Sequence, residues 1–438
     1  MRTVSLLGSF LDRLGWSPER LAREVNRASG NGAISAKAPY GWVKGAFPRG
    51  RVAHIVAEVL TRHLDEPVTV QAIWPGRAGG PEAPGWTPPT GPDDPAYPLP
   101  PEAGRCEFAE ADTAIAALDW LNGSEAHNQV RTGGGDLDPL VIDILADRVC
   151  TLRHLDDLHG ASFTLGLVLQ DLRWTLALAQ SSAYGREDGV RLHRVIAELA
   201  QLAGWLALDT GEHTQAQTLF LTALRAARTA EDCPLGAYVL SCMGYQSFWA
   251  GNAQHAVRLL QTACTGTSEC STSMVRALLF SRLARALALH GDERGCEEAI
   301  ATSEQAWATR DGLIRPRWSY WVGSATLLGD AGRARFDLGK RSAAEADLDR
   351  VVRVIGDTQP RNRSLHLTSL AEVRIASGDV DGAAAAACEA VGLLSRIDSM
   401  RTRCRLRRLE TAFARHRGYA VAAEAGDAIG HTLTRTGD

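Results

Sequence analysis

Six glycines, Gly211, Gly251, Gly291, Gly339, Gly378 and Gly418, recur at spacings of 40, 40, 48, 39 and 40 residues, and this period constrains the fold more than any other feature. Self-similarity at such a period is the signature of stacked supersecondary units, none of which can bury its apolar face alone. Two further columns keep the same register. Five residues after each glycine stands a small residue: Ala216, Ala256, Cys296, Ala344, Ala383 and Ala423. Seven before it stand Gly204, Gly244, Ala284, Gly332, Ala371 and Thr411, and nine after it Phe220, Leu260, Ile300, Leu348, Ala387 and Asp427. Small residues at two offsets let paired helices approach closely, and the glycine turns the chain between them. The large apolar residue then fills the gap to the next pair. Thr411 and Asp427 set the last unit apart, as a terminal cap would.

Composition agrees with helices. Of 438 residues, 67 are Ala against 7 Tyr and 9 Phe, so the 45% apolar fraction comes from small helix formers rather than from the residues that fill sheets. Lys+Arg 47 against Asp+Glu 51 gives −4, which excludes a uniformly basic nucleic-acid coat and a polyacidic disordered chain. The average hides an asymmetry. Residues 1–75 carry ten basic and six acidic residues, a net of +4, which leaves −8 on residues 76–438.

Ten of the eighteen prolines lie between Pro75 and Pro101, a stretch that reads as a semi-extended spacer. The expected organisation is a helical head over 1–75, a linker over 76–104, a helical lead-in over 105–188 and repeats over 189–438. In the head, Ser17-Pro18-Glu19 places a capping serine before proline and an acid, predicting a helix over about 17–27. A second short helix is expected over about 35–44, with Pro39 inside it, and a third from Arg51, where Val52, Ile55, Val56, Val59 and Leu60 keep helical spacing. Trp42 is expected in the core.

The small–Gly–small offsets over 197–428 resemble the tetratricopeptide repeat, so the fold class is all-α: a small helix-turn-helix bundle followed by a tetratricopeptide-like α-solenoid. The stretches GWSPERLAREVN (15–26), APYGWVKGAFPRG (38–50), HLDDLHG (154–160), AELAQLAGWLALDTGEHTQA (197–216) and LGAYVLSCMG (235–244) are similar to one family in particular. It is the actinobacterial transcriptional regulators that join an N-terminal helix-turn-helix domain to tetratricopeptide repeats, a group that includes a negative regulator of sporulation and antibiotic production. The resemblance implies double-stranded DNA as partner and control of development or secondary metabolism.

In a helix-turn-helix domain the second helix faces the major groove, while cations and backbone amides hold phosphates. Ser17, Arg20, Lys37, Tyr40, Lys44, Arg49 and Arg51 are the expected DNA contacts, the arginines and lysines on phosphates rather than bases. The plainer alternative is a helical docking module with a solvated basic face. Two heads ~34 Å apart would match one turn of DNA, so a homodimer is expected.

The second expected site is the concave groove of the repeats, where the residue six before each turn glycine faces inward. That column reads Trp205, Tyr245, Arg285, Arg333 and Glu372, with Gln201, Tyr238, Ser241 and Trp249 nearby. Aromatics followed by arginines suit a small anionic or amphipathic effector or an acidic peptide. The alternative is that the tryptophans pack and the arginines pair with acids on adjacent helices. The 48-residue spacing marks an excess near Arg315-Pro-Arg-Trp-Ser-Tyr-Trp321, a groove lid, an interface patch or a plain loop. Arg401, Arg405 and Arg408 share one helical face, and such a run reads as a solvated surface.

Neither enzyme nor metal chemistry is expected. H-E-x-x-H and G-x-S-x-G are missing, Arg341 replaces the Ser/Thr of a P-loop, and His154 and His159 are spaced as a helix end rather than as ligands. The nine cysteines are odd in number, scattered and never spaced C-x-x-C, which suggests no disulfide framework, no zinc site and a reducing cytoplasm, and no cofactor is expected. The start is broken by Asp12-Arg13 and does not read as a signal peptide, and no stretch approaches the ~18 apolar residues of a membrane span.

Overall fold

The computed structural model describes residues 6–29, 34–48, 52–64, 68, 70–74, 110–123, 130–268, 272–309, 315–356, 359–394 and 400–435. The chain forms two compact units, 1–88 and 89–438, which divide inside the proline-rich stretch.

The first unit is a small bundle of α1 (Leu7–Leu14), α2 (Pro18–Ser29), α3 (Ala38–Val43), α4 (Val52–Leu64) and α5 (Val70–Ile73). Its core gathers Leu7 and Leu11, Leu21 and Val25, Val56 and Leu60, with Trp16, Trp42 and Trp74. Ser17 caps α2 by accepting a hydrogen bond from the Arg20 amide at 3.3 Å. The turn after α2 is stapled by Asn26, whose amide donates to the Ile34 carbonyl at 2.9 Å and accepts from the Ile34 amide at 3.0 Å. Pro39 sits in the first turn of α3, where its missing N–H leaves no bond unmade, so the helix begins at Ala38 rather than being broken by the proline.

The second unit is helical apart from a two-residue parallel pairing of Gly135–Asp136 with Ser182–Ala183. After α6 (Glu110–Asn122) come seven antiparallel pairs among the described residues: α7 (Pro139–His159) with α8 (Ala161–Ser181), α9 (Arg186–Asp209) with α10 (His213–Thr229), α11 (Cys233–Trp249) with α12 (Ala253–Gly266), α13 (Ser273–His290) with α14 (Glu293–Ala308), α15 (Ser324–Asp337) with α16 (Arg341–Val354), α17 (Pro360–Ser377) with α18 (Val380–Leu394), and α19 (Met400–Ala414) with α20 (Ala420–Arg435). The all-α repeat expectation holds. Each of the six periodic glycines stands between the two helices of a pair. Gly211, Gly251, Gly291, Gly339 and Gly378 turn the chain with φ between +77° and +89°, which side chains with a Cβ rarely adopt. Gly418 is the exception and carries no positive φ.

The flanking columns translate directly into packing. A Cβ placed on Gly204 would lie 2.7 Å from the Phe220 ring, and one on Gly244 or Gly332 would lie 2.9 Å from Leu260 or Leu348. The small residue before the turn is therefore the seat of the large residue after it. α6 lies against α10 and α12 instead of extending the array. It is held by Thr113 Oγ1, 2.7 Å from His255 Nε2, and by Trp120, whose indole occupies the space that a Cβ would take on Gly236 and Gly266.

The array winds far enough for its ends to meet. Arg361 of α17 bonds Asp156 of α7 at 2.5 Å, and Arg401 of α19 bonds Asp209 of α9 at 2.8 Å. One departure from the cysteine expectation is Cys233, which is disulfide-bonded. The other described cysteines carry free thiols. C-x-x-C spacing does not detect such a bond.

Candidate functional site

In the head, Arg20, Lys37, Tyr40 and Lys44 are all exposed around the corner between α2 and α3. Ser17 is occupied as the cap of α2, and Arg49 and Arg51 lie outside the described residues. Arg20 stacks its guanidinium over Trp16 at 5.0 Å. Tyr40 donates its phenolic hydrogen to Glu19, which ties α3 to the start of α2. That bond, above all, holds the Glu19 carboxyl below its ordinary range and raises Tyr40 above its own. A carboxylate thus stands amid the cations expected to meet phosphate. Trp42 is buried, as expected.

In the repeat unit the inward faces of the first helices converge on a chamber of about 100 Å³. Gln201, Trp205, Tyr238, Tyr245 and Arg333 all line it, and Ser241 is buried behind them. Trp249, Arg285 and Glu372 line a neighbouring, more open groove of about 420 Å³. The periodic column therefore does face inward, and it divides between two cavities.

Much of this interior is internally paired. Arg285 bonds Asp337 at 2.6 Å, Arg333 bonds Asp330 at 2.7 Å, Arg153 lies 3.6 Å from Glu198, and Arg405 bonds Glu372. Arg401 and Arg405 are turned into the interior, which corrects the expectation of a solvated arginine face. Only Arg408 of the three is exposed. The reason is that α9 and α17 present Asp209 and Glu372 to α19, and buried charge settles where a partner waits.

Two acids flank Arg361 and respond oppositely. Burial raises Asp156 despite Arg361, whereas at Asp209 burial is outweighed by Arg401 and Arg361 together, so its carboxyl is lowered. Asp209 has two cations where Asp156 has one and also feels the charge of Asp209. His366, buried between Arg333 and Arg405, is pushed well below its usual value by burial first and then by those cations. It stands 3.1 Å from Arg333 as a neutral ring.

Residues 315–321 of the long repeat close the chamber from one side, with Tyr320 and Trp321 in its lining. Trp318 is 2% exposed and stacks on Tyr238 with centroids 4.2 Å apart and rings 2° from parallel. Tyr320 donates to Asp157 at 2.5 Å, and Arg317 bonds Asp147 at 2.7 Å, so the segment bridges α7 and α11. His154 stacks on Tyr320 and His159 ends α7, and the described residues hold no cluster that could ligate a metal.

Sequence reasoning missed Arg282. It lies one helical turn before Arg285, nine residues ahead of Gly291, and its guanidinium is within 5.5–5.7 Å of four rings: Trp205, Tyr238, Tyr245 and Trp321. A second inward column, nine before each turn glycine, reads Leu202, Cys242, Arg282, Asp330 and Ser369 and could have exposed it.

Fold and site together define a tetratricopeptide-like helical repeat protein with a separate helical head. Residues 7–73 match the family model described as the SP15 N-terminal domain. Among solved structures, the chain is similar to BtubC (BKLC) from P. vanneervenii, with a TM-score of 0.39 and 17% identity over 54% of this chain and 91% of that one. It is also similar to the Signal Transduction ATPase with Numerous Domains protein with a tetratricopeptide repeat sensor from Pyrococcus horikoshii. That match has a TM-score of 0.38 and 10% identity over 95% of this chain and 60% of the other. No curated protein matches the chain. No helix among the described residues is long and apolar enough to cross a membrane.

Proposed function

We propose that the chain is a cytoplasmic, homodimeric transcriptional regulator of the development or secondary-metabolism type. In this proposal the head binds double-stranded DNA, and the repeat interior senses a small ligand or peptide. No catalytic role and no cofactor are assigned. The observation that carries the proposal is the exposed set Arg20, Lys37 and Lys44 at the α2–α3 corner of a head with net charge +4. The tetratricopeptide-like interior supports a sensing role through its aromatic and arginine lining, and the 420 Å³ groove has the size of a small-ligand site.

The test is selection of bound duplexes from a random library by the full chain, followed by anisotropy titration over a salt series. Affinity should fall steeply with salt, and Lys37→Ala with Lys44→Ala should weaken binding and flatten the log–log slope by about 0.9 per lost phosphate contact. A salt-independent affinity, or no enriched duplex, would overturn DNA binding. A protein-interaction adaptor with a docking head is the second reading. It is favoured by the Glu19–Tyr40 pair, which sets a carboxylate in the basic face, and by the six-residue length of α3.

A further inference from the structure

We propose that Arg282 anchors an oxyanion site in the repeat chamber, sized for a phosphate-like group. Five arginines line the cavity: Arg153, Arg282, Arg333, Arg361 and Arg401. Four of them have carboxylate partners, in Glu198 at 3.6 Å, Asp330 at 2.7 Å, Asp156 at 2.5 Å and Asp209 at 2.8 Å. Arg282 is only 4% exposed, yet among the described residues its contacts are with a hydroxyl, a thiol and four rings, and none is with a carboxylate. Its Nη1 donates to Ser241 Oγ at 2.7 Å and to Cys242 Sγ at 3.5 Å, both neutral acceptors. Nε and Nη2 form the other edge of the guanidinium fork, the edge that matches two oxygens of a tetrahedral or carboxylate anion.

A guanidinium held this deep without a counter-charge is costly, because buried charges are otherwise paired. The four surrounding rings offset part of that cost through their faces but contribute no negative charge. Asp330, an acid whose charge reaches Arg282, is already committed to Arg333 and to the Ser281 hydroxyl at 3.1 Å. The 100 Å³ of free space beside Arg282 admits one small oxyanion or a few waters, and it is too small for a nucleotide or a peptide. The occupant is therefore a free oxyanion, or the terminal acidic group of a larger ligand that enters past the exposed Tyr320. This deepens the sensing role proposed above and rests on it for biological meaning. Anion binding itself can be measured whether or not the head binds DNA.

Calorimetry on the phosphate-free full chain, at constant ionic strength, should show one saturable site per chain for inorganic phosphate. Phenyl phosphate is the second arm. Tighter binding of phenyl phosphate marks the terminal group of a larger ligand, and binding of inorganic phosphate alone marks the free ion. Trp205 and Trp321 flank Arg282, so intrinsic fluorescence should follow the same isotherm. Arg282→Lys, which keeps the charge and loses the fork, should weaken binding at least tenfold, and Arg282→Met should abolish it while circular dichroism stays unchanged. If Arg282→Met does not fold, the Lys variant and the wild-type fluorescence titration carry the test. Absence of a saturable site for both anions in the wild type, or an affinity unchanged in Arg282→Lys, would overturn the proposal. Loss of duplex binding in the separate anisotropy assay would leave it standing and would overturn only the DNA reading.

Discussion

Asp209→Asn should loosen the closure of the repeat array and do so with a defined pH dependence. Asp209 is fully buried and holds Arg401 at 2.8 Å and Arg361 at 3.3 Å. Arg361 keeps Asp156 when Asp209 is neutralised, but Arg401 keeps no carboxylate among the described residues, only the Trp205 ring at 4.8 Å and Tyr245. Removing one partner of a buried ion pair costs about 3–5 kcal/mol, because the charge left behind is uncompensated. With a urea slope of about 3 kcal/mol per molar, the midpoint should fall by about 1–1.7 M. Tryptophan fluorescence is a suitable probe, since Trp205 sits under Arg401. The carboxyl is lowered in the folded state relative to its ordinary 3.8, so its contribution is fully present above that value. It is lost as pH falls through the folded value. The gap between wild type and Asp209→Asn should therefore be equal at pH 7 and pH 5 and shrink below about pH 3.8. Asp147→Asn is the control: its pair with Arg317 is largely exposed and should be worth less than about 1 kcal/mol. A midpoint within 0.3 M of wild type (on the order of 1 kcal/mol at that slope), or a gap that widens on acidification, would refute the reasoning.

Two further outcomes follow from packing. Gly204→Ala should cost about 1–3 kcal/mol by driving a methyl into the Phe220 ring, and Phe220→Leu in the same chain should recover part of it; strictly additive losses in chemical denaturation would count against the seat-and-filler account. Trp318→Ala should cost about 3–5 kcal/mol by emptying the stack on Tyr238, and it should speed acrylamide quenching of the remaining chamber tryptophans; unchanged quenching would show that the extra segment does not close the chamber.

What the sequence revealed and what it hid divide along one physical line. The glycine turns and the seats at Gly204, Gly244 and Gly332 are local demands, a positive φ or a missing Cβ, and so they repeat at a fixed offset and can be read. The inward column from Trp205 to Glu372 is legible for the same reason. Arg401 and Arg405 looked like surface because their partners lie at Asp209 and Glu372, one of them 192 residues away, and no offset rule reaches that far. Arg282 was hidden differently. Its neighbours Ser241 and Cys242 are neutral and four aromatics face it, so no charge pattern draws attention to the position. In the head, the Ser17 cap and the buried Trp42 were legible, whereas the bond from Tyr40 to Glu19 joins two elements whose docking the sequence does not specify.

The segment around Trp318 has a consequence for how such an array can change over generations. Repeat proteins ordinarily gain or lose units freely, because each unit touches only its neighbours. Here Trp318 reaches back to Tyr238 on α11, two pairs before α15, and Arg317 reaches Asp147 on α7. Duplicating or deleting one pair between them would move the stacked ring by a whole step and leave it facing a different helix. The copy number between α7 and α15 is locked by that single insertion, and variation is left to substitution within units rather than to their multiplication.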